Sequence, residues 1–291
     1  MTAAELDRKV RLVELRGRKT VGGLVSGAYR TAFKGQGIEF LEVREYVPGD
    51  DTRSIDWNVT ARMGRPHLKR FAEEREETVM LVVDGSSSNR FGSGRVSKSE
   101  AVAEVYAVLA LAAIQNNDRT GLIVFTGEVE LYVPPRRSES HVRRLIREIL
   151  AFKPREQGTN IARALDFLGK ARRRRSLVFL ISDFLDGGFE AQLKASAKQH
   201  DLVAISVFDA REERLPDCGL IELEDAESGV RWLMDSGSAA VRETYERSSR
   251  ERTERLQEVF RNAGVDHLRV EAGADYFPSL VEFLRVHAKR N

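Results

Sequence analysis

Short, almost wholly apolar runs that alternate with amphipathic stretches are the feature that most constrains the fold of this chain. Three of these runs, TVMLVVD, SLVFLISDF and DLVAISVFD, begin at residues 78, 176 and 201. A strand that is apolar at every position is typical of a parallel sheet covered on both faces. The stretches between them carry apolar residues at helical spacing, as Val142, Leu145 and Ile149 do. We therefore predict an α/β fold, a doubly wound and mostly parallel sheet with helices on both faces.

The other segments continue the alternation. We predict helices over residues 97–117, 138–152, 160–173, 189–199, 239–262 and 278–289. RTGLIVFTG with VELYVPP, and the two halves of GLIELEDAESGVRWLMD, are predicted to form hairpins, the second turning at residues 228–229. HLRVEAG is predicted to be a last strand. We expect an α/β domain over residues 78–291 and, before it, a smaller irregular or β region over residues 1–77, in which IEFLEVREYV forms a strand.

Polar side chains follow two of the predicted strands at the point where each strand ends. Asp84, Ser86 and Ser88 form a D-x-S-x-S pattern after the first apolar run, and Asp183 follows LVFLIS. Thr159 precedes the helix predicted over residues 160–173. Ligands of doubly wound sheets bind beyond the carboxyl ends of the strands, where the strand order reverses. We therefore expect residues 84–88 and 182–183 on one rim of the sheet, with Thr159 completing a set of five side chains.

These five side chains offer two carboxylates and three hydroxyls, with no thiolate and no imidazole. Ligands that are all oxygen suit Mg²⁺, Mn²⁺ or Ca²⁺ rather than Zn²⁺. Mg²⁺ takes an octahedron of oxygens and usually keeps some waters. The set therefore predicts a site for Mg²⁺, with Mn²⁺ or Ca²⁺ as alternatives, that leaves a position open for an outside carboxylate. D-x-S-x-S by itself also fits a simple turn or helix cap.

FGSGRVSKSE, after the D-x-S-x-S pattern, nearly matches a phosphate-binding loop. Ser97 stands where the second glycine is required, and the loop starts well after the strand. Ser97 and Glu100 instead have the spacing of a capping box. We therefore predict a helix start here rather than a nucleotide site.

A charged block, REYVPGDDTRSIDWNVTAR, occupies residues 44–62 upstream of the sheet. PGDD within it is a turn signal. Its acidic residues, Asp50, Asp51 and Asp56, alternate with arginines with which they can pair. We expect these pairs to fix an irregular segment, with Trp57 as a packing anchor. A partner-binding face is the alternative.

DGSSS, GTN and SD, in this order and on these elements, resemble the metal-ion-dependent adhesion site of von Willebrand factor A domains. The resemblance matches Asp84, Ser86 and Ser88 to the D-x-S-x-S motif, Thr159 to the loop threonine and Asp183 to the second aspartate. It implies a von Willebrand factor A-like sheet and a metal held between the domain and an acidic side chain of its partner. Asn89 departs from the pattern, because a methionine is common there, but this position is not a ligand.

The upstream block resembles the hallmark of the family called domain of unknown function fifty-eight, roughly R-x-Y-x-x-G-D-D-x-R-x-I-D-W-x-x-x-A-R. Every letter of that hallmark is present between Arg44 and Arg62. The two resemblances together cover the chain from about residue 35 to its end. They imply a companion of AAA+ ATPases of the MoxR type, an adaptor or substrate-recruiting partner in chaperone-like maturation of other complexes.

Composition narrows the classes of function. With 47 basic and 45 acidic residues, the chain lacks the basic excess that broad nucleic-acid binding needs. Its one cysteine, Cys218, excludes an intrachain disulfide and fits a reducing compartment. The charged N-terminus is unlike a signal peptide, and the longest apolar run, residues 105–114, is too short to span a bilayer. We expect a cytoplasmic protein with no transmembrane segment.

These observations predict a metal-dependent protein-interaction module and no enzyme, because no nucleophile with a neighbouring general base is evident. The alternative is a Mg²⁺-dependent phosphoryl-transfer hydrolase, since a metal beside a strand-end aspartate is compatible with that chemistry. Haloacid-dehalogenase-like phosphatases, however, use D-x-D, and the second position here is Ser86. A structural scaffold with an empty site is a third hypothesis.

Overall fold

A computed structural model of the chain describes residues 3–21, 26–32, 39–72, 77–156, 158–226 and 229–290. The strands are β1 (Glu39–Glu45), β2 (His67–Ala72), β3 (Thr78–Asp84), β4 (Arg119–Phe125), β5 (Val129–Arg136), β6 (Leu177–Ser182), β7 (Asp201–Phe208), β8 (Leu220–Glu224), β9 (Arg231–Asp235) and β10 (Asp266–Glu271). The helices are α1 (Ala3–Thr20), α2 (Ser26–Ala32), α3 (Trp57–Met63), α4 (Lys98–Gln115), α5 (Glu139–Ala151), α6 (Ile161–Ala171), α7 (Glu190–Gln199), α8 (Ala210–Glu213), α9 (Ala239–Ala263) and α10 (Phe277–Arg290).

Six strands form the central sheet in the order β10-β7-β6-β3-β4-β5. Neighbouring strands are parallel except at one edge, where β5 runs antiparallel to β4. Counted along the chain, this is the doubly wound order 3-2-1-4-5-6, and the order reverses between β3 and β6. The predicted α/β fold with a mostly parallel sheet is confirmed.

Apolar clusters cover both faces of the sheet, because successive side chains of a strand point to opposite faces. In β3, Leu81 belongs to one cluster and Val82 to the other, and both are fully buried. The first cluster includes residues of α4, α5 and α10, and the second includes residues of α6, α7 and α9. This two-sided cover explains why the strands are apolar at every position.

Helix α4 is apolar around nearly its whole circumference, which is typical of a helix buried on all sides. From Ala101 to Ala113 its residues are buried, with only Glu104 partly exposed. The sheet covers one side of α4, and α1, α2 and α5 pack on the others. Val10 and Tyr29, from α1 and α2, lie in the same cluster as α4. The N-terminal helices therefore complete this core, and the domain boundary after residue 77 stays a prediction.

The charged block forms a turn and a short helix beside an antiparallel pair. β1 pairs with β2, so the strand predicted upstream of the block is confirmed. Arg44 binds the carboxylate of Asp50 at 2.6 Å. Asp51 accepts the N–H of Arg53 in a short 3₁₀ turn, and Asp56 accepts backbone N–H groups at the start of α3. Asp50 pairs with an arginine as expected, whereas Asp51 and Asp56 fix the segment by capping backbone N–H groups.

Trp57 is not the packing anchor that the sequence predicts. Its side chain is 70% exposed. It is the first residue of α3, a helix of 7 residues of which none is buried. The helix contacts β2, but this contact does not cover the ring. The alternative that this block is a partner-binding face remains a prediction.

The long predicted helices and both hairpins are confirmed within a few residues. The capping box of α4 is present, because Glu100 N–H donates to Ser97 Oγ and Ser97 N–H donates to the Glu100 carboxylate. The hairpins are β4–β5 and β8–β9, although residue 228 of the second turn lies outside the described residues. Within the described ranges, no helix has both the length and the apolar composition that crossing a bilayer requires.

Candidate metal centre

Asp84 ends β3 at the carboxyl rim of the sheet, and its side chain is almost fully buried. Its Oδ1 accepts the N–H of Ser86 at 2.9 Å, and its Oδ2 accepts the hydroxyl of Ser182 at 2.6 Å. Ser182 ends β6, so the second bond crosses the point where the strand order reverses. Hydrogen bonds on both oxygens fix the orientation of this carboxylate.

Ser86, Ser88 and Asp183 form a second chain of hydrogen bonds on the same rim. Ser86 Oγ lies 3.0 Å from Ser88 Oγ, and Ser88 Oγ donates to Asp183 Oδ2 at 2.7 Å. Asp183 Oδ1 accepts the N–H of Leu185 at 3.2 Å. The structure therefore brings four of the five predicted residues into one connected cluster: Asp84, Ser86, Ser88 and Asp183.

Thr159, the fifth predicted residue, lies in the loop before α6 and is half-buried. The loop is tied to the end of β4, since Asn160 N–H donates to the Thr126 carbonyl at 2.8 Å. Gly158, with a φ of 80°, gives the loop its left-handed turn. In the described ranges no hydrogen bond joins Thr159 to Asp84 or Asp183. Thr159 is thus on the predicted rim but outside the hydrogen-bonded cluster.

The environment of Asp84 works against its charge. Burial raises the pKa of the Asp84 carboxyl to about 6, and the negative charge of Asp183 acts in the same direction. Hydrogen bonds from Ser182 and Ser86 act the other way, since they favour the ionised form. Positive charge brought to this rim would therefore be favourable.

Lys98 is a residue of this site that the sequence analysis missed. Its side chain is 0% exposed, and Nζ donates to Asp183 Oδ2 at 2.9 Å and to Glu212 Oε1 at 2.6 Å. Burial lowers the pKa of Lys98, but the charges and hydrogen bonds of Asp183 and Glu212 outweigh it and leave the pKa raised. Lys98 is therefore a buried ammonium ion in direct contact with a predicted metal ligand.

A signal for Lys98 was available in the sequence. Lysine is rarely fully buried without a partner, and the first turn of a helix favours acidic rather than basic groups. Lys98 directly follows the Ser97 cap, so its charge opposes the helix dipole. A lysine at this position needs carboxylates nearby, and the helix start points toward the rim that carries them.

Glu212 itself is held firmly. It lies in α8, where its Oε2 accepts the N–H of Asp209 in a second capping box. Asp209 in turn accepts the N–H and the hydroxyl of Ser93 at 2.8 and 2.6 Å. Lys98 thus connects the loop after β6 to the short helix after β7.

Phe184 turns the chain directly after Asp183. Its φ of 55° lies in the left-handed region, which a bulky side chain rarely adopts. Its ring is buried and packs edge to face on Phe260, with the ring centroids 5.0 Å apart. Packing therefore maintains a strained turn that sets the direction of Asp183, and such strain is often found at functional sites.

A cavity of about 160 Å³ lies beside Asp84. Its walls include Ser86 and Asn89 from the rim and apolar residues from α4 and α5, such as Val102 and Ile149. A cavity of about 150 Å³ is known to accommodate a benzene ring. The rim therefore has an apolar recess next to its carboxylates.

The donor set fits a cation that prefers oxygen, because carboxylates and hydroxyls converge within hydrogen-bonding distance of one another. Among the described residues, no group of three or more His, Cys, Asp or Glu side chains is placed to hold a metal. A metal at this rim would therefore depend on the serine hydroxyls and on water in addition to Asp84 and Asp183.

Sequence comparison relates this chain to proteins of similar length. The profile of the family described as "Protein of unknown function DUF58" matches residues 42–255. The Mycobacterium tuberculosis (strain ATCC 25618 / H37Rv) protein named "Uncharacterized protein Rv1480" is 31% identical over 285 residues, which are 96% of this chain and 89% of that protein.

Structural comparison concerns the fold alone. The structure of the conserved hypothetical protein BatB from Bacteroides thetaiotaomicron has a TM-score of 0.50 and 18% identity, covering 73% of this chain and 99% of that one. The SpRpn10 VWA domain has a TM-score of 0.40 and 8% identity, covering 71% of this chain and 94% of that one. The likeness to BatB concerns the fold, and the doubly wound sheet described above confirms the α/β fold class predicted from the sequence.

Proposed function

This chain belongs to the DUF58 family of proteins of unknown function, and from that premise we propose that it is a protein-interaction module that docks its partner at the rim around Asp84 and Asp183. The observation that carries the proposal is the pairing of two strand-end carboxylates across the reversal of the strand order. Ser182 bonds Asp84 from β6, and Ser88 bonds Asp183 from the loop after β3. Ligands of doubly wound sheets bind at this place.

The site would hold Mg²⁺, with Mn²⁺ or Ca²⁺ as alternatives, through oxygens of five side chains: Asp84, Ser86, Ser88, Thr159 and Asp183. A bound divalent ion would supply the positive charge that attracts a carboxylate of the partner. Asp84 and Asp183 would neutralise that ion, while the serine hydroxyls fill positions that carry no charge. Thr159, which makes no hydrogen bond to the two carboxylates in the described structure, is the one ligand that would have to be recruited from its loop.

The site is proposed to bind rather than to catalyse. In the described residues the hydrogen-bond partners of the Asp84 and Asp183 carboxylates are serines, backbone N–H groups and Lys98. Lys98 is fully buried and its ammonium is bound by two carboxylates, so it is not placed as a free base or nucleophile. Ser88 and Ser182 donate to Asp183 and Asp84, and we assign these bonds to orienting the carboxylates rather than to activating a serine as a nucleophile.

We propose a partner whose contact segment carries an acidic side chain beside an apolar one. The carboxylate would meet the charged rim, and the apolar side chain would enter the recess lined by Val102 and Ile149. Buried anchors of this kind usually carry most of the affinity of an interface. An AAA+ ATPase of the MoxR type is the partner class that the sequence resemblance favours, with the chain as its adaptor in the maturation of other complexes.

Calorimetric titration with Mg²⁺ and Mn²⁺ tests the site. We expect Asp84→Asn, which keeps the shape of the side chain but removes its charge, to weaken divalent binding by at least about tenfold, or about 1.4 kcal/mol. Asp186→Asn is the matched control, because Asp186 lies on the loop that carries Asp183 but binds the N–H of Ile161 instead of the cluster. Unchanged binding in Asp84→Asn would refute the assignment of the site.

Capture of a purified MoxR-type ATPase tests the partner. We expect the wild-type chain to bind it in Mg²⁺ and to release it in EDTA, and the Asp84→Asn chain to bind it weakly in both. Mg²⁺-dependent hydrolysis of generic phosphate esters that is lost in Asp84→Asn would instead establish the chain as a hydrolase and overturn the proposal.

A further inference from the structure

We propose that the ammonium of Lys98 is a built-in counter-ion of the candidate metal centre and competes with the divalent ion for Asp183. This inference rests on the proposed function in one respect, the identity of Asp183 as a ligand. It adds a residue that sets how tightly the site binds its ion, and it links the site to a second segment of the rim.

The contact geometry carries the competition. Asp183 Oδ2 accepts both the ammonium of Lys98, at 2.9 Å, and the hydroxyl of Ser88, at 2.7 Å. A carboxylate oxygen has few lone-pair positions, and these two donors occupy them. A divalent ion that binds this oxygen must displace one of the donors, and it repels the ammonium by like charge.

Glu212 provides a second acceptor for the displaced ammonium. Its Oε1 lies 2.6 Å from Lys98 Nζ, closer than the oxygen of Asp183. Because the capping box of α8 holds the other oxygen of Glu212, this acceptor stays in position. Lys98 can therefore move toward Glu212 without leaving a buried charge unpaired, which would be costly.

The charges of the cluster agree with this arrangement. Two carboxylates, Asp183 and Glu212, bind one ammonium, and Asp84 is joined to the same rim through its bond from Ser182. Lys98 thus neutralises part of the rim without a metal, which keeps the carboxylates together in the folded chain. The same charge lowers the affinity of the rim for any added cation, so divalent binding is weaker than two buried aspartates alone would give.

A double variant that leaves the net charge unchanged separates two effects on ion binding. One is direct competition for Asp183, and the other is the electrostatic effect of the overall charge. In Lys98→Met with Glu212→Gln, one positive and one negative group are removed and the shapes are kept. Replacing a buried ion pair with neutral side chains of similar volume is often tolerated. We expect the double variant to bind Mn²⁺ at least about tenfold more tightly than the wild type, or about 1.4 kcal/mol.

The matched control is Arg163→Met with Glu128→Gln, an exposed ion pair at 2.9 Å that does not contact the cluster. We expect wild-type affinity in this control. A folded Lys98→Met, Glu212→Gln variant that binds Mn²⁺ no more tightly than the wild type would overturn the inference. A wild-type chain that binds no divalent ion, beside a double variant that does, would contradict the proposed function but support the inference.

The wild-type chain offers a second measurement that does not depend on the folding of a variant. A fully buried ammonium exchanges its protons slowly enough for a nitrogen NMR signal, which Lys98→Arg would assign by its loss. We expect saturating Mg²⁺ to shift this signal, because the ammonium leaves Asp183 for Glu212. A signal that stays in place while Mg²⁺ binds at Asp84 would refute the competition.

Discussion

Gly85 shows at the scale of one residue how tightly the loop after β3 is packed. A Cβ at this position would lie 2.7 Å from Val124 Cγ1 and would also run into the ring of Phe152. Gly85 N–H donates to the carbonyl of Phe125, so the backbone cannot shift away without losing a bond of the sheet. Because Gly85 has no side chain, the loop that carries Asp84 and Ser86 can pack directly against Val124 and Phe152.

We predict that Gly85→Ala destabilises the fold by about 1–3 kcal/mol, the usual cost of forcing extra atoms into a packed region. Urea denaturation measures the change in the free energy of unfolding. Gly94→Ala is the matched control, because nothing lies within 4 Å of a Cβ built there. Equal stability of the two variants would contradict the account of this loop.

At the scale of the element, α4 connects the candidate site to the core. Its N-terminus presents Lys98 to the rim, and its remaining length fills the space between the sheet and α1. The Ser97 cap fixes where the helix begins and therefore where Lys98 stands.

Ser97→Ala should lower the free energy of unfolding by about 1 kcal/mol, because the N–H of Glu100 loses its acceptor. Thermal and urea unfolding measure this loss. Ser238→Ala is the control, since Ser238 also stands at an N-cap, of α9, but makes no capping bond with its side chain. A loss of the same size in both variants would show that the effect is not one of capping.

The elements differ in how far the sequence predicts them. β3 and β6 are predicted because burial on both faces requires apolar residues at every position, as in Val79–Val83. α2 and α3 are not predicted, because 7 residues are too few to show a helical period. Trp57 is exposed and Lys98 is buried, the reverse of what is usual for these residue types. Tertiary structure rather than the local sequence pattern decides their exposure. The oxygen ligands of the cluster follow from a sequence motif. The position of Lys98 at the start of α4 indicates that it needs carboxylates nearby, but only the fold identifies these as Asp183 and Glu212.

At the scale of the whole molecule, a histidine at one edge of the sheet makes the free energy of unfolding depend on pH. His267 of β10 lies against the ring of Phe260 and shares a hydrogen bond of 2.7 Å between its Nε2 and Ser206 Oγ. Burial lowers the pKa of His267 to about 4, and the charge of Arg269 acts in the same direction. The folded chain therefore keeps this ring neutral at a pH where the unfolded chain protonates it.

We predict that the His267 ring contributes a slope by which stability falls as the pH drops from about 6.5 to about 4, worth roughly 3 kcal/mol, because only the unfolded state binds its proton in that range. Asp84, whose pKa is raised to about 6, contributes a slope of the opposite sign, so the His267 slope is the difference between the wild type and His267→Gln. Urea denaturation at several pH values measures this slope, and His267→Gln should reduce it. The difference between the two chains at pH 7.5, where the ring is neutral in both states, gives the packing loss alone. An unchanged slope would refute the assignment.

The cluster at the rim has a consequence for the order in which the chain assembles. Asp84 and its partner Ser182 are 98 residues apart, and Lys98 and Glu212 are 114 apart. Domains begin to fold during synthesis from the N-terminus onward, and pairing between distant segments is slow. A nascent chain therefore carries Asp84 and Lys98, two opposite charges bound for the interior, without Ser182 and Asp183 until the segment through residue 183 has left the ribosome, and without Glu212 until the segment through residue 212 has followed. The bond from Ser182 to Asp84 joins β6 to β3, so its formation marks the meeting of the two halves of the sheet.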